Sequence, residues 1–144
     1  MARSFQVTFD CGDPAALAGF WAEVMEYVLE PPPPGYDSWE ALLKEANVPE
    51  DQWDRASAIV DPEGAGPRFF FQKVPEGKKA KNRMHLDVRG FKDRDAPKEE
   101  GSRQLNAAAD RLVALGATKH QEFEEMGSHW IVMQDPEGNE FCIA

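Results

Sequence analysis

The stretch HWIVMQDPEGNEFCIA, residues 129–144, decides how this chain folds, because its central tetrapeptide has a twin: DPEG stands at Asp135 to Gly138 and again at Asp61 to Gly64. Each copy follows an apolar run (WIVMQ in one case, SAIV in the other) and precedes another (NEFCIA, RFFFQ). Proline in second place fixes φ and glycine in fourth place supplies the positive φ of a tight reversal. Each copy therefore predicts a β-hairpin turn.

Upstream of each hairpin lies a looser repeat. FQVTFD (residues 5–10) and MHLDVR (84–89) alternate apolar and polar residues, the mark of a strand with one apolar face. Each leads to a helix. In the first, Asp13 is the expected N-cap with Pro14 at the first helical position, followed by Leu17, Phe20, Trp21, Val24, Met25 and Val28 at spacings of three and four. In the second, beyond a charged linker from Lys92 to Gly101, Ser102 is the expected cap of a stripe formed by Leu105, Ala108, Leu112 and Leu115, stopped by Gly116.

The copies are offset by 79 residues at the first strand and 74 at the turn, so one strand–helix–strands unit occurs twice. With its helix on one sheet face, each unit leaves the other face free to curve around a ligand. Two units can close a cup between them. The expected organisation is a single α+β domain, 1–144, of two modules (about 1–78 and 82–144), with a helical insertion at about 36–56. In that insertion Pro31 to Pro34 end the first helix, Asp37 and Glu40 form the expected capping box, and a second short helix starts at Pro49. Its tryptophans, Trp39 and Trp53, either pack on the outer sheet edge or overhang the cup as a lid, and packing is the expectation.

Charge narrows the function. Sixteen basic against 26 acidic residues leave a net charge of −10, which gives no sequence-independent attraction to nucleic acid or anionic membranes. No apolar run approaches the roughly 20 residues that cross a bilayer, and MARSFQVTFD lacks a secretory pattern, so a cytoplasmic protein is expected. Cys11 and Cys142 are accordingly expected as unbridged thiols.

Alternation sorts the strand residues into faces. Phe5, Val7, Phe9 and Cys11, and in the second copy Met84, Leu86 and Val88, should meet the helices. Gln6, Thr8, Asp10, His85, Asp87 and Arg89 then point into the cup, as do Glu140 and Cys142, while Phe141 and Ile143 pack inward. Trp130 is favoured over His129 for the concave side. His120 is expected to be exposed, and Lys78 to Lys81 to form a solvated connector.

FQVTFDCGDPAALAGFWAEVM, NRMHLDV and HWIVMQDPEGNEFCI together resemble the vicinal oxygen chelate superfamily, which includes glyoxalase I, extradiol dioxygenases and bleomycin-resistance proteins. The resemblance implies paired βαβββ modules forming a cup-shaped curved sheet with helices outside, a ligand site in the cup, and a homodimer. In metal-dependent members, four strand positions hold the ion. Carried over, they fall on Gln6, Gln72, His85 and Cys142. This set lacks the carboxylates that favour a hard divalent cation, so no metal cofactor is expected.

The leading expectation is a metal-independent protein that binds a small organic molecule through Gln6, Thr8, Phe70, Gln72, His85, Trp130 and Cys142. If it is an enzyme, His85 and Asp87 are the candidate base and orienter. Cys142 has no neighbouring cation in the sequence to activate it as a nucleophile. Two alternatives stand beside this one. One is a metal-dependent lyase, isomerase or dioxygenase. The other is a non-catalytic dimerisation module with an acidic surface.

Overall fold

The computed structural model describes residues 1–144, which form two compact units, Met1–Gly77 and Lys78–Ala144. The first contains β1 (Val7–Cys11), α1 (Pro14–Met25), β2 (Val28–Leu29), α2 (Trp39–Glu45), a 3-10 turn (Glu50–Gln52), β3 (Ala56–Val60) and β4 (Phe69–Lys73). Its sheet runs β1-β4-β3-β2, with β1 parallel to β4 and the other pairs antiparallel. The second contains β5 (Asp87–Val88), α3 (Lys98–Ala114), β6 (Thr118–Glu125), β7 (Ser128–Gln134) and β8 (Glu140–Ile143), in the order β5-β8-β7-β6 with β5 parallel to β8. Apart from the insertion the topology is the same. The fold is α+β, built of two βαβββ modules.

Local chemistry explains the elements. Asp13 accepts a hydrogen bond from the Ala16 amide at 3.1 Å, and Pro14 opens α1 where a missing N–H costs nothing. Leu17, Phe20, Trp21 and Val24 are buried, and α1 packs on β3 and β4. Phe9, Trp21, Phe69 and Phe71 form an aromatic core, with the Phe9 and Phe71 rings stacked at 5.2 Å. Each such side chain contributes about 1.5–3 kcal/mol by leaving water. In the second module Leu105, Ala108, Ala109 and Leu112 of α3 are buried with Ile131, Met133, Phe141 and Ile143. No helix is long and apolar enough to cross a membrane.

Both DPEG segments turn as expected. The Gly64 amide donates to the Asp61 carbonyl at 2.9 Å and the Gly138 amide to the Asp135 carbonyl at 2.8 Å, with φ of +72° and +86° at the two glycines. The aspartate side chains complete the turns by accepting from amides ahead of them.

Several expectations are corrected. Phe5 and Met84 are 71% and 88% exposed; both precede their strands, and β5 is only two residues long. α3 starts at Lys98 after Pro97, so Ser102 lies inside it: Glu99 and Glu100 suit a helix N-terminus and extend it into the supposed linker. Leu115 is the exposed C-cap and Ala109 joins the buried stripe instead, while Val28 belongs to β2 and is exposed. Ser38, not Asp37, caps α2, accepting from Ala41 at 3.1 Å. Trp39 and Trp53 reach the sheet from the insertion, Trp39 beside the edge strand β2. With Leu43 they border a hollow of about 410 Å³ whose other walls include Ala56, Ala58 and Phe70, on the sheet face opposite α1. Their indole N–H groups donate to the Glu30 and Val48 carbonyls at 2.8 and 2.9 Å, which fixes the rings there.

Candidate functional site

The second module gathers the densest chemistry. β5 and β8 run parallel with Asp87 level with Cys142, and the Leu86 carbonyl accepts from the Cys142 amide at 2.9 Å. His85 is two residues back along the same side of the chain. Its Nε2 lies 3.2 Å from Asp87 Oδ1, and donor atoms of His85, Asp87 and Cys142 all fall within 4.8 Å of one another. Burial pushes the Cys142 thiol up to about 11 and the neighbouring Asp87 carboxylate pushes it the same way, so this side chain stays protonated and donates to Asp87 at neutral pH.

The cluster opens into a hollow of about 840 Å³, lined also by Arg89, Lys92, Arg94 and Trp130. Along β7, Ile131 and Met133 are buried against the helix side, so Trp130 faces the other way, its ring stacked on Phe123 at 5.3 Å. Phe123 is its cross-strand partner, brought opposite by a register shift at His120, which is exposed.

In the first module the expected ligand-binding residues share the sheet face opposite α1 but do not converge. Gln6 accepts from Arg68 Nη1 at 3.1 Å and donates to Thr8 Oγ1 at 3.3 Å. Gln72 lies opposite Asp10 in the parallel ladder and donates to its carboxylate at 2.6 Å. Four residues along β1 separate the two glutamines, about 13 Å at strand rise. Phe70 is level with Thr8 and carries the Arg68 guanidinium over its ring at 5.2 Å. Gln6 and Gln72 thus have separate partners in this structure.

Three further features go beyond what the sequence assigned. Arg89, expected in the cup, is joined by Lys92 and Arg94: all three follow β5 and line the hollow, though no spacing marks the last two. Lys78, expected in a solvated connector, is tied to Glu140 at 3.1 Å. His129 lies on the helix side: Nε2 donates to Glu122 at 2.6 Å, and Nδ1 meets Ser102 Oγ of α3 at 3.4 Å. Hydrogen bonds from Asn106, His129 and Lys119 hold the Glu122 carboxyl down at about 2. Alternation with Ile131 and Met133 was the available signal for His129; nothing local pointed to its partner on β6.

A family model described as glyoxalase-like domain matches residues 6–144. No curated protein matches the sequence. Among solved structures, the fosfomycin resistance protein FosX from Listeria monocytogenes, in complex with Mn(II) and sulfate, superposes with a TM-score of 0.63 at 12% identity, covering 99% of this chain and 89% of that one. A glyoxalase/bleomycin resistance protein/dioxygenase family enzyme from Burkholderia phytofirmans gives 0.61 at 14% identity, covering 96% and 94%. A possible glyoxalase from Bacillus cereus gives 0.60 at 11%, covering 99% and 98%. At these identities the likenesses establish the fold.

Proposed function

Since the chain belongs to the glyoxalase-like domain family of the vicinal oxygen chelate superfamily, we propose that it binds a small organic molecule in the second-module hollow and needs no resident metal to do so. The observation that carries this is the internal pairing of the cluster. Asp87 is shared between the His85 imidazole and the Cys142 thiol, so its charge already has partners, and the thiol holds its proton. A volume of about 840 Å³ with one indole wall and a few placed polar groups suits a small-molecule receptor. The pair His85 and Asp87 also supplies a proton-transfer device: Asp87 engages Nε2, which leaves Nδ1 as the ring nitrogen for a ligand proton. Phe70, Thr8, Gln6 and Gln72 line the first module's corresponding face and contribute there. The expected cytoplasmic setting and homodimer belong to this proposal, and light scattering on the purified protein tests the dimer.

One observation favours a second reading, a soft-metal centre: His85, Asp87 and Cys142 present imidazole, carboxylate and sulfur within 4.8 Å. FosX, with a similar fold, is a Mn(II) complex. Elemental analysis after expression in metal-supplemented medium, paired with thermal-shift screening of organic molecules, separates the two. Expected are sub-stoichiometric metal and a set of molecules whose stabilisation is lost in W130A. Stoichiometric zinc, nickel or iron that disappears in H85A would overturn the metal-free reading.

A further inference from the structure

The two hollows differ in how their cations are answered. In the first, Arg68 is gripped by Glu30 through two hydrogen bonds, Nε to Oε1 at 2.9 Å and Nη2 to Oε2 at 2.7 Å, and its third arm is held by Gln6. Arg55 and Arg68 there face Glu30 and Glu40, two cations against two carboxylates.

In the second, Arg89, Lys92 and Arg94 line a hollow whose one acidic side chain, Asp87, is already engaged by His85 and Cys142. Lys92 donates only to a neutral carbonyl, that of His129, at 3.2 Å, and the guanidinium groups of Arg89 and Arg94 have no hydrogen-bond or ion-pair partner. The Ala144 oxygen accepts from the Gly90 and Phe91 amides rather than from either arginine. This excess of cations stands in a module that carries twelve acidic side chains, of which Asp87 alone lines the hollow. Beside the cations the Trp130 ring, held by its stack on Phe123, offers a flat apolar wall.

We infer that the second-module hollow is selective for planar organic anions, an aromatic or conjugated carboxylate being the chemical class: the ring lies on Trp130 and the carboxylate meets Arg89 and Arg94. Guanidinium groups pair with carboxylates through two parallel N–H donors, and the aromatic face contributes by stacking and by excluding water. The inference deepens the proposed small-molecule reading and rests on it.

Calorimetric titration with 2-naphthoate, its uncharged isostere 2-naphthamide, and acetate tests it. Naphthoate should bind at least tenfold more tightly than naphthamide at low salt and lose much of that margin at high ionic strength, because partly exposed ion pairs are screened. Acetate should bind far more weakly than naphthoate. R89A/R94A should bring naphthoate down to the naphthamide level, and W130A should weaken both aromatic probes. R111A, which removes one exposed cation from the last turn of α3, should leave naphthoate within twofold. Equal affinity for naphthoate and naphthamide would overturn the anion selectivity while leaving a small-molecule receptor in place. Acetate binding as well as naphthoate would overturn the planar class. No binding of either aromatic probe at millimolar concentration, with R89A/R94A equally silent, would sink both this inference and the reading beneath it.

Discussion

The modules share a strand order and a turn motif, yet they use them differently. Residues 1–77 carry five basic against fourteen acidic side chains, and residues 78–144 carry eleven against twelve, so nearly all the net negative charge belongs to the first module. The first surrounds its hollow with tryptophans from an insertion and pairs Arg68 internally. The second has no insertion, leaves Arg89 and Arg94 of its hollow without a partner, and holds the His85, Asp87 and Cys142 cluster. A duplicated fold fixes where strand positions fall, while the side chains placed there set the chemistry of each copy.

The two DPEG turns sharpen that contrast most. Asp135 is 2% exposed and accepts from the amides of Glu137 and Asn139 and from the Asn139 side chain at 2.8–2.9 Å. Asp61 accepts from three amides at 2.7–3.1 Å but is only partly buried. D135A should therefore cost about 2–4 kcal/mol in urea unfolding, since it strands the donors gathered on a buried carboxylate, and D61A clearly less. Equal losses would erase this difference between the turns.

The first hairpin is the longer of the two and passes beneath Tyr27. A Cβ at Gly66 would stand 1.9 Å from the Tyr27 hydroxyl, whose ring packs edge-on against Phe69 at 5.7 Å. G66A should destabilise by about 1–3 kcal/mol through displacement of that ring, and G66A in a Y27A background should cost much less. A similar penalty in both backgrounds would show that the crowding lies elsewhere.

The smallest effect concerns the network that ties α3 to β6 and β7. Glu122 titrates in the folded state at about 2, below the ordinary 4.5, so its contribution is complete above about pH 4.5 and is lost as pH falls toward 2. Solvent screening keeps it within about 1 kcal/mol. Stability measured across that window should fall less steeply in E122Q than in the parent. Identical slopes would remove Glu122 from the account.

Much of the site was legible residue by residue. Alternation put His85, Asp87 and Cys142 on one side of their strands and set Trp130 opposite His129, and the burial of Ile131 and Met133 decided which of the two faces the hollow. Where local rules failed, another local rule or a distant partner had won: the acidic residues ahead of Ser102 moved the start of α3, and the short β5 released Met84. Alternation turned Arg89 into the cup, but its grouping with Lys92 and Arg94 was not legible, because loop residues carry no periodicity and their direction follows from where the chain leaves β5.

By itself the sequence determined the duplicated strand and helix pattern, both reversals and the buried stripes, because these follow from φ preferences and from the period at which apolar side chains recur. Only the tertiary structure decided which polar groups meet. The separation of Gln6 from Gln72, the sharing of Asp87 and the lack of partners at Arg89 and Arg94 depend on inter-strand register and loop path, which are set by contacts between residues far apart along the chain.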